Sequence, residues 1–161
     1  MNDTQMREIV ENTIESWKKD AASKATMTLE RAEILSRAVL EEARRIGVQA
    51  VVCVSDGAGH PKLVKAMDDS YIASYDVAVN KAFTVVALKM STIELKPLAQ
   101  PGASLYGIQF TNGGRIVIFG GGDPLRNGDG VIVGGLGVSG GSEEQDTALS
   151  AYGKWYYETK M

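Results

Sequence analysis

Apolar residues recur along this chain at two different spacings. Across residues 4–22, Met6, Ile9, Val10, Thr13, Ile14 and Trp17 share one stripe at helical spacing, while Arg7, Glu8, Glu11, Glu15 and Lys18 take the opposite side. That pattern predicts an amphipathic helix. Small and polar residues at Ser23–Thr26 then interrupt it as a short linker. A second helix is predicted from Thr28 to Arg45, burying Leu29, Ala32, Leu35, Ala38, Val39 and Ile46, with Gly47 as its left-handed stop. From Ala50 the period shortens. Val51, Val52, Cys53 and Val54 are β-prone, and Asp56-Gly57-Ala58-Gly59 turns the chain into Pro61–Ala66, which together read as a hairpin. A helix capped by Ser70 or Ser74 is expected through about Met90, with Ala73, Val77, Ala78, Ala82, Val85 and Val86 on its buried side. Ser91-Thr92-Ile93-Glu94 has capping-box spacing, and the short helix it opens is expected to end at Pro97.

Thirteen of the 18 glycines fall between Gly107 and Gly141, so glycine serves there as a backbone device. Arg115–Phe119 and Val131–Val138 read as two strands separated by the loop 120–130, and a last helix is predicted from Ser142 to about Thr159. The order helix, hairpin, helix, hairpin, helix predicts an α/β (α+β) fold. Its connections are too tight for parallel crossovers, so the sheet is expected to be antiparallel and covered by helices.

Composition narrows the functional classes. With 161 residues and 44% hydrophobic content the chain suits one core. A net charge of −3, without an isolated Lys/Arg cluster, argues against nucleic acid as a partner. The single cysteine, Cys53, sits in an apolar run and reads as a buried thiol, which excludes an intramolecular disulfide framework. No apolar stretch has the length of a membrane span, and the N-terminus has no signal-peptide core, so a cytoplasmic protein without a membrane partner is expected.

The most specific local feature is the junction Gly134-Gly135-Leu136-Gly137-Val138-Ser139-Gly140-Gly141-Ser142. A glycine-rich turn feeding a helix start can hold a carboxylate or phosphate, which makes Ser139, Gly140 and Gly141 candidate ligand-binding residues. It has neither the Walker sequence nor the Rossmann glycine spacing. Lys81 and Thr84 are polar residues on an otherwise packed helix, and a lysine there could meet a carboxylate. Glu143, Glu144 and Asp146 suit the first turn of the last helix, where acids complement the dipole.

Five motifs in order resemble the GlcG/HbpS family, which includes the C-terminal domain of PduO proteins. They are Asp56-Gly57-Ala58-Gly59-His60-Pro61, Met67-Asp68, Ala78-Val79-Asn80-Lys81-Ala82-Phe83-Thr84, Gly121-Gly122-Asp123-Pro124-Leu125, and Gly137-Val138-Ser139-Gly140 with Gln145-Asp146. The match covers residues 27–161, leaving 1–26 as a separate helix and linker. The resemblance implies a profilin- or roadblock-like sandwich, homo-oligomers that are often octamers, and haem as the bound group. His60, the only histidine, is then the candidate axial ligand to haem iron, with Lys81, Thr84, Ser139, Gly140 and Gly141 as further cofactor-binding candidates. Tyr71, Phe83 and Tyr106 are candidates for stacking on a porphyrin. One departure stands out: Lys65-Ala66 precedes Met67-Asp68, where the family usually carries an arginine.

The helix at 4–22 is similar to the encapsulation peptides of bacterial microcompartment cargo, which implies a shell or cargo partner and a place inside such a compartment. Packing on its own domain or on a neighbouring copy is the alternative. The leading expectation is a haem-binding accessory protein associated with a bacterial microcompartment or with diol or glycolate utilisation. Two alternatives stand beside it. One is an enzyme acting on a small carboxylate or phosphate, with Asp123, Lys81 or His60 in acid–base roles; the other is a scaffolding cargo protein.

Overall fold

The computed structural model describes residues 2–24 and 26–161, with side chains at 2–17 and 26–161. Its first helix, α1, spans Asp3–Lys24. The predicted stripe is present there, and Met6, Ile9, Val10, Ile14 and Trp17 are all exposed. The side chain of Lys18 on the opposite face, and Ala25 of the expected linker, lie outside the described residues.

Helix α2 (Leu29–Arg45) starts where Thr28 Oγ1 accepts the Arg31 backbone N–H at 3.2 Å. Four strands follow in the chain: β1 (Val51–Asp56), β2 (Pro61–Ala66), β3 (Gly122–Arg126) and β4 (Ile132–Ser139). They form one sheet in the order β2-β1-β4-β3, antiparallel throughout. Alternation along β1 sends Val52 and Val54 into one core and Val51 and Cys53 into another. The first core lies under α2 and α5 (Glu143–Lys160), where Leu35, Val39, Leu125, Leu136 and Leu149 are fully buried. Each such leucine contributes roughly 1.5–3 kcal/mol by leaving water. The second core lies under α3 (Ile72–Leu88) through Ala78 and Ala82. Here small residues matter on both partners. A Cβ at Gly135 or Gly137 of β4 would run into the carbonyl oxygen of Ala82 or Ala78.

Three expectations change. Arg115–Phe119 is not a strand; it crosses the outer side of α3, where the Val117 N–H donates to Thr84 Oγ1 at 3.0 Å. The second hairpin is built from β3 instead, inside the stretch expected to be loop. Its Pro124 fits because β3 is an edge strand, where a missing N–H costs no ladder bond. Neither Ser70 nor Ser74 caps α3: Tyr71 is its N-cap without a side-chain bond, and Ser74 is buried in the first turn. Ala73 is correspondingly exposed, and the buried face takes in Lys81 and Thr84. The short helix α4 (Thr92–Leu98) has the expected capping box at Ser91 and ends one residue past Pro97. No described helix is long and apolar enough to cross a membrane.

Candidate functional site

The turn between β1 and β2 is built by Asp56. Its Oδ1 accepts the backbone N–H groups of Ala58 at 2.9 Å and His60 at 3.0 Å, which closes the turn on itself. Gly59, at φ +79°, completes it. The His60 side chain is 81% exposed, with Nδ1 3.9 Å from Asp56 Oδ2, too far for a hydrogen bond. An imidazole presented in this way is available to a ligand from outside. The turn is anchored on α3, because a Cβ at Gly59 would sit 3.0 Å from Cδ2 of Phe83. On the same ring lies Arg115, its Cζ 3.7 Å from the ring centroid and its Nε 3.5 Å from Asn80 Oδ1. Gln109, in the short helical turn Ile108–Phe110 ahead of Arg115, has a buried Oε1 with no hydrogen-bond partner among the described residues.

Lys81 and Thr84 point inward. Lys81 is fully buried; its Nζ donates to Val138 O at 2.7 Å and Asp146 Oδ2 at 3.1 Å, and lies 4.9 Å from the centre of the Phe119 ring. Burial lowers its pKa, against the opposing pull of Asp146. Thr84 Oγ1 is 2.7 Å from Asn80 O and 3.2 Å from Arg115 O, so its hydroxyl ties the 115–117 segment to α3.

At the start of α5, Ser139 Oγ donates to Ser74 Oγ at 3.1 Å. The Gly141 N–H donates to Asp146 Oδ1 at 2.9 Å and the Ser142 N–H to Gln145 Oε1 at 2.9 Å, while Ser142 Oγ caps Gln145. The Gly141 and Ser142 donors of this turn are therefore engaged by the chain's own acceptors. Gly140 is glycine for lack of space, since a Cβ there would meet Gln49 O. The turn still borders an open depression of about 470 Å³, shared with Gly47, Gln49, Asp69 and Tyr71.

These candidates fall into two groups. Strand pairing sets Val51 opposite Ser139 and Asp56 opposite Gly134, so the His60 turn and the Gly140 turn occupy opposite ends of β1. Five strand steps separate them, about 17 Å at roughly 3.3 Å each. Lys81 and Gly141 meet through Asp146 at the second end, next in sequence to Ser139 and Gly140, and Thr84 backs the Arg115 segment. Arg115 was not legible as a site residue, because its neighbours read as strand and its contacts with Phe83 and Asn80 cross the fold. Among the described residues no cluster of three or more His, Cys, Asp or Glu could hold a metal ion. Burial pushes the Cys53 thiol up to about 12, so it is inert at neutral pH.

The model of the family described as haem degrading protein HbpS-like matches residues 27–153. An uncharacterised 15.0 kDa protein from the dhaT–dhaS intergenic region of Citrobacter freundii is 46% identical over 126 residues, covering 78% of this chain and 88% of that one. The corrinoid adenosyltransferase PduO of Salmonella typhimurium is 45% identical over 72% of this chain, which spans only 34% of that protein's length. Among solved structures, a PduOC:heme complex superposes with a TM-score of 0.77 at 38% identity, over 81% of this chain and 94% of that one. On the family match, the identities and the shared fold, this chain belongs to the HbpS-like family.

Proposed function

We propose that this chain is a haem-binding accessory module in which His60 supplies the axial ligand to iron. The observation that carries this reading is the placement of the only histidine: an exposed imidazole on a hydrogen-bonded turn whose Gly59 abuts Phe83, the ring on which Arg115 stacks. The residues suit haem. A neutral imidazole ligates the iron, an aromatic side chain borders the macrocycle, and a cation meets its carboxylates. The haem of the related PduOC complex supports the choice of group. When bound, haem would supply ligand-binding or redox chemistry at its iron. The protein's own part is to hold His60 through Asp56 and Gly59.

An exposed axial ligand leaves most of a bound macrocycle uncovered, which favours closure by a second copy. Tyr71, Ile72, Tyr106 and Phe110 are large apolar side chains exposed on this chain, Ile72 at 98%. They support a homo-oligomer. A second reading concerns α1, whose exposed apolar stripe suits a groove on a shell or cargo partner better than its own domain.

A haem titration followed by the visible spectrum, run on the parent and on His60→Ala, tests the main reading. A saturable, stoichiometric Soret shift that His60→Ala loses is the expected result. A shift retained in His60→Ala moves the ligand elsewhere. No saturable shift in the parent overturns the haem reading and leaves a small-carboxylate or phosphate enzyme as the alternative.

A further inference from the structure

We infer that Arg115 is a carboxylate-recognising residue that selects ligands bearing a free carboxyl group; for haem, this is a propionate. The inference deepens the haem reading and rests on it for the ligand, but its evidence lies in the surroundings of Arg115 itself.

Arg115 is half-buried, and among the described residues no Asp or Glu comes within ion-pair distance of it. Among the described residues its guanidinium has one acceptor, Asn80 Oδ1 at 3.5 Å, which engages Nε and leaves the Nη donors without a partner there. A partly desolvated cation with its forked donors unmatched is costly unless an anion completes it. The group is also held in place. One face stacks on Phe83 at 3.7 Å, its backbone N–H donates to Asn112 O, and its carbonyl oxygen lies 3.2 Å from Thr84 Oγ1. Asn80 is oriented in turn by Asp76, whose Oδ2 accepts from Asn80 Nδ2 at 3.0 Å. Asp76 therefore aims the amide oxygen at Arg115 without neutralising it. A planar, preoriented guanidinium with free Nη donors is suited to a bidentate carboxylate.

The position links Arg115 to His60. Both the His60 turn and the guanidinium rest on the same phenyl ring, the turn through Gly59 and the guanidinium by stacking. A ligand held at His60 and extending over this ring would reach the cation.

The test compares haem with haem dimethyl ester, in which both propionates are masked, on the parent, Arg115→Gln and Arg115→Lys. Circular dichroism verifies that each variant is folded. The parent should bind free-acid haem about tenfold or more tightly than the ester. Arg115→Gln should weaken free-acid binding by that factor and leave ester binding unchanged, while Arg115→Lys, which loses the fork, should restore only part. A parent that binds both forms equally, or an equal loss for both forms in Arg115→Gln, overturns the inference. If the parent binds neither, the haem reading fails separately. Sodium propionate is then titrated into ¹⁵N-labelled parent with sodium chloride as the control. A saturable shift of the Arg115 Nε–H resonance upholds carboxylate recognition, and no shift overturns it.

Discussion

At the residue scale, two carboxylates, the buried Asp146 and the half-buried Asp123, hold opposite positions in the energetics. Asp146 accepts from Lys81 Nζ through one oxygen and from the Gly141 N–H through the other, so it joins α3, the end of β4 and the start of α5. Lys81 is 0% exposed and Asp146 about 5%, so removing one partner strands a charge in the interior. Asp146→Ala should therefore cost about 3–5 kcal/mol in urea unfolding, the range for a broken buried pair. A loss under about 1 kcal/mol would show that the pair does not pin these elements. Asp123 differs, because among the described residues it has no ion-pair partner. Burial raises its pKa, although the Ser150 hydroxyl at 2.6 Å favours the charged form. A carboxyl whose folded pKa is raised binds its proton sooner in the native state than in the unfolded chain. Stability from this group therefore rises as pH falls through the folded pKa, and the gain is complete below the ordinary value of 3.8. Asp123→Asn, which resembles the protonated form, should be more stable than the parent at pH 7, with the difference closing below pH 4 by chemical denaturation. A difference that is constant with pH contradicts this account.

At the scale of elements, the sequence was most legible where one stretch makes its own structure. The turn of the first hairpin, the start of α2 at Thr28, the capping box at Ser91 and the helix start at Ser142 depend on neighbours within four residues. The second hairpin was misplaced because its β-prone segment, Arg115–Phe119, lies over α3, while the glycine- and proline-bearing Gly122–Arg126 pairs with β4. Strand propensity follows from packing on a pleated, half-buried surface, and only the tertiary fold decides which segment gets that surface. The same cause hid Lys81 and Thr84 among the buried residues of α3, since their partners come from β4, α5 and the 115–117 segment. The glycines of β4 were visible, but their reason was not: α3 lies so close that Gly137 leaves no space for a Cβ beside Ala78 O. Gly137→Ala should cost roughly 1–3 kcal/mol or more by overpacking, measured as a lower urea midpoint with an unchanged slope. Gly128→Ala is the control, because nothing lies within 4 Å of its Cβ position. Equal effects at the two sites would rule out close helix–strand packing as the cause.

At the scale of the whole molecule, the family match begins at residue 27. Residues 27–153 carry the family's pattern, and both cores consist of residues from Met27 onward. Helix α1 contributes no buried side chain among those described, yet it carries five large apolar ones in the open. Its amphipathic spacing was plain in the sequence, whereas its partner was not, since an apolar stripe has the same form whether it meets its own domain, another copy or a different protein. The energetics separate these cases. If α1 packed on its own domain or locked the oligomer, deleting residues 1–26 would expose apolar area worth about 25 cal/mol per Å² and lower the thermal midpoint by several degrees. A docking helix predicts the reverse: the deletion leaves the thermal midpoint, the oligomer mass by light scattering and the haem titration unchanged. A fluorescent fusion of the deleted chain should then lose the localisation of the full-length fusion. Trp17→Ala with Ile14→Ala, in the otherwise intact chain, should reproduce that loss, because Trp17 is 70% exposed and Ile14 42%. A fall in the thermal midpoint, or localisation unchanged in both variants, would return α1 to the structure of its own assembly.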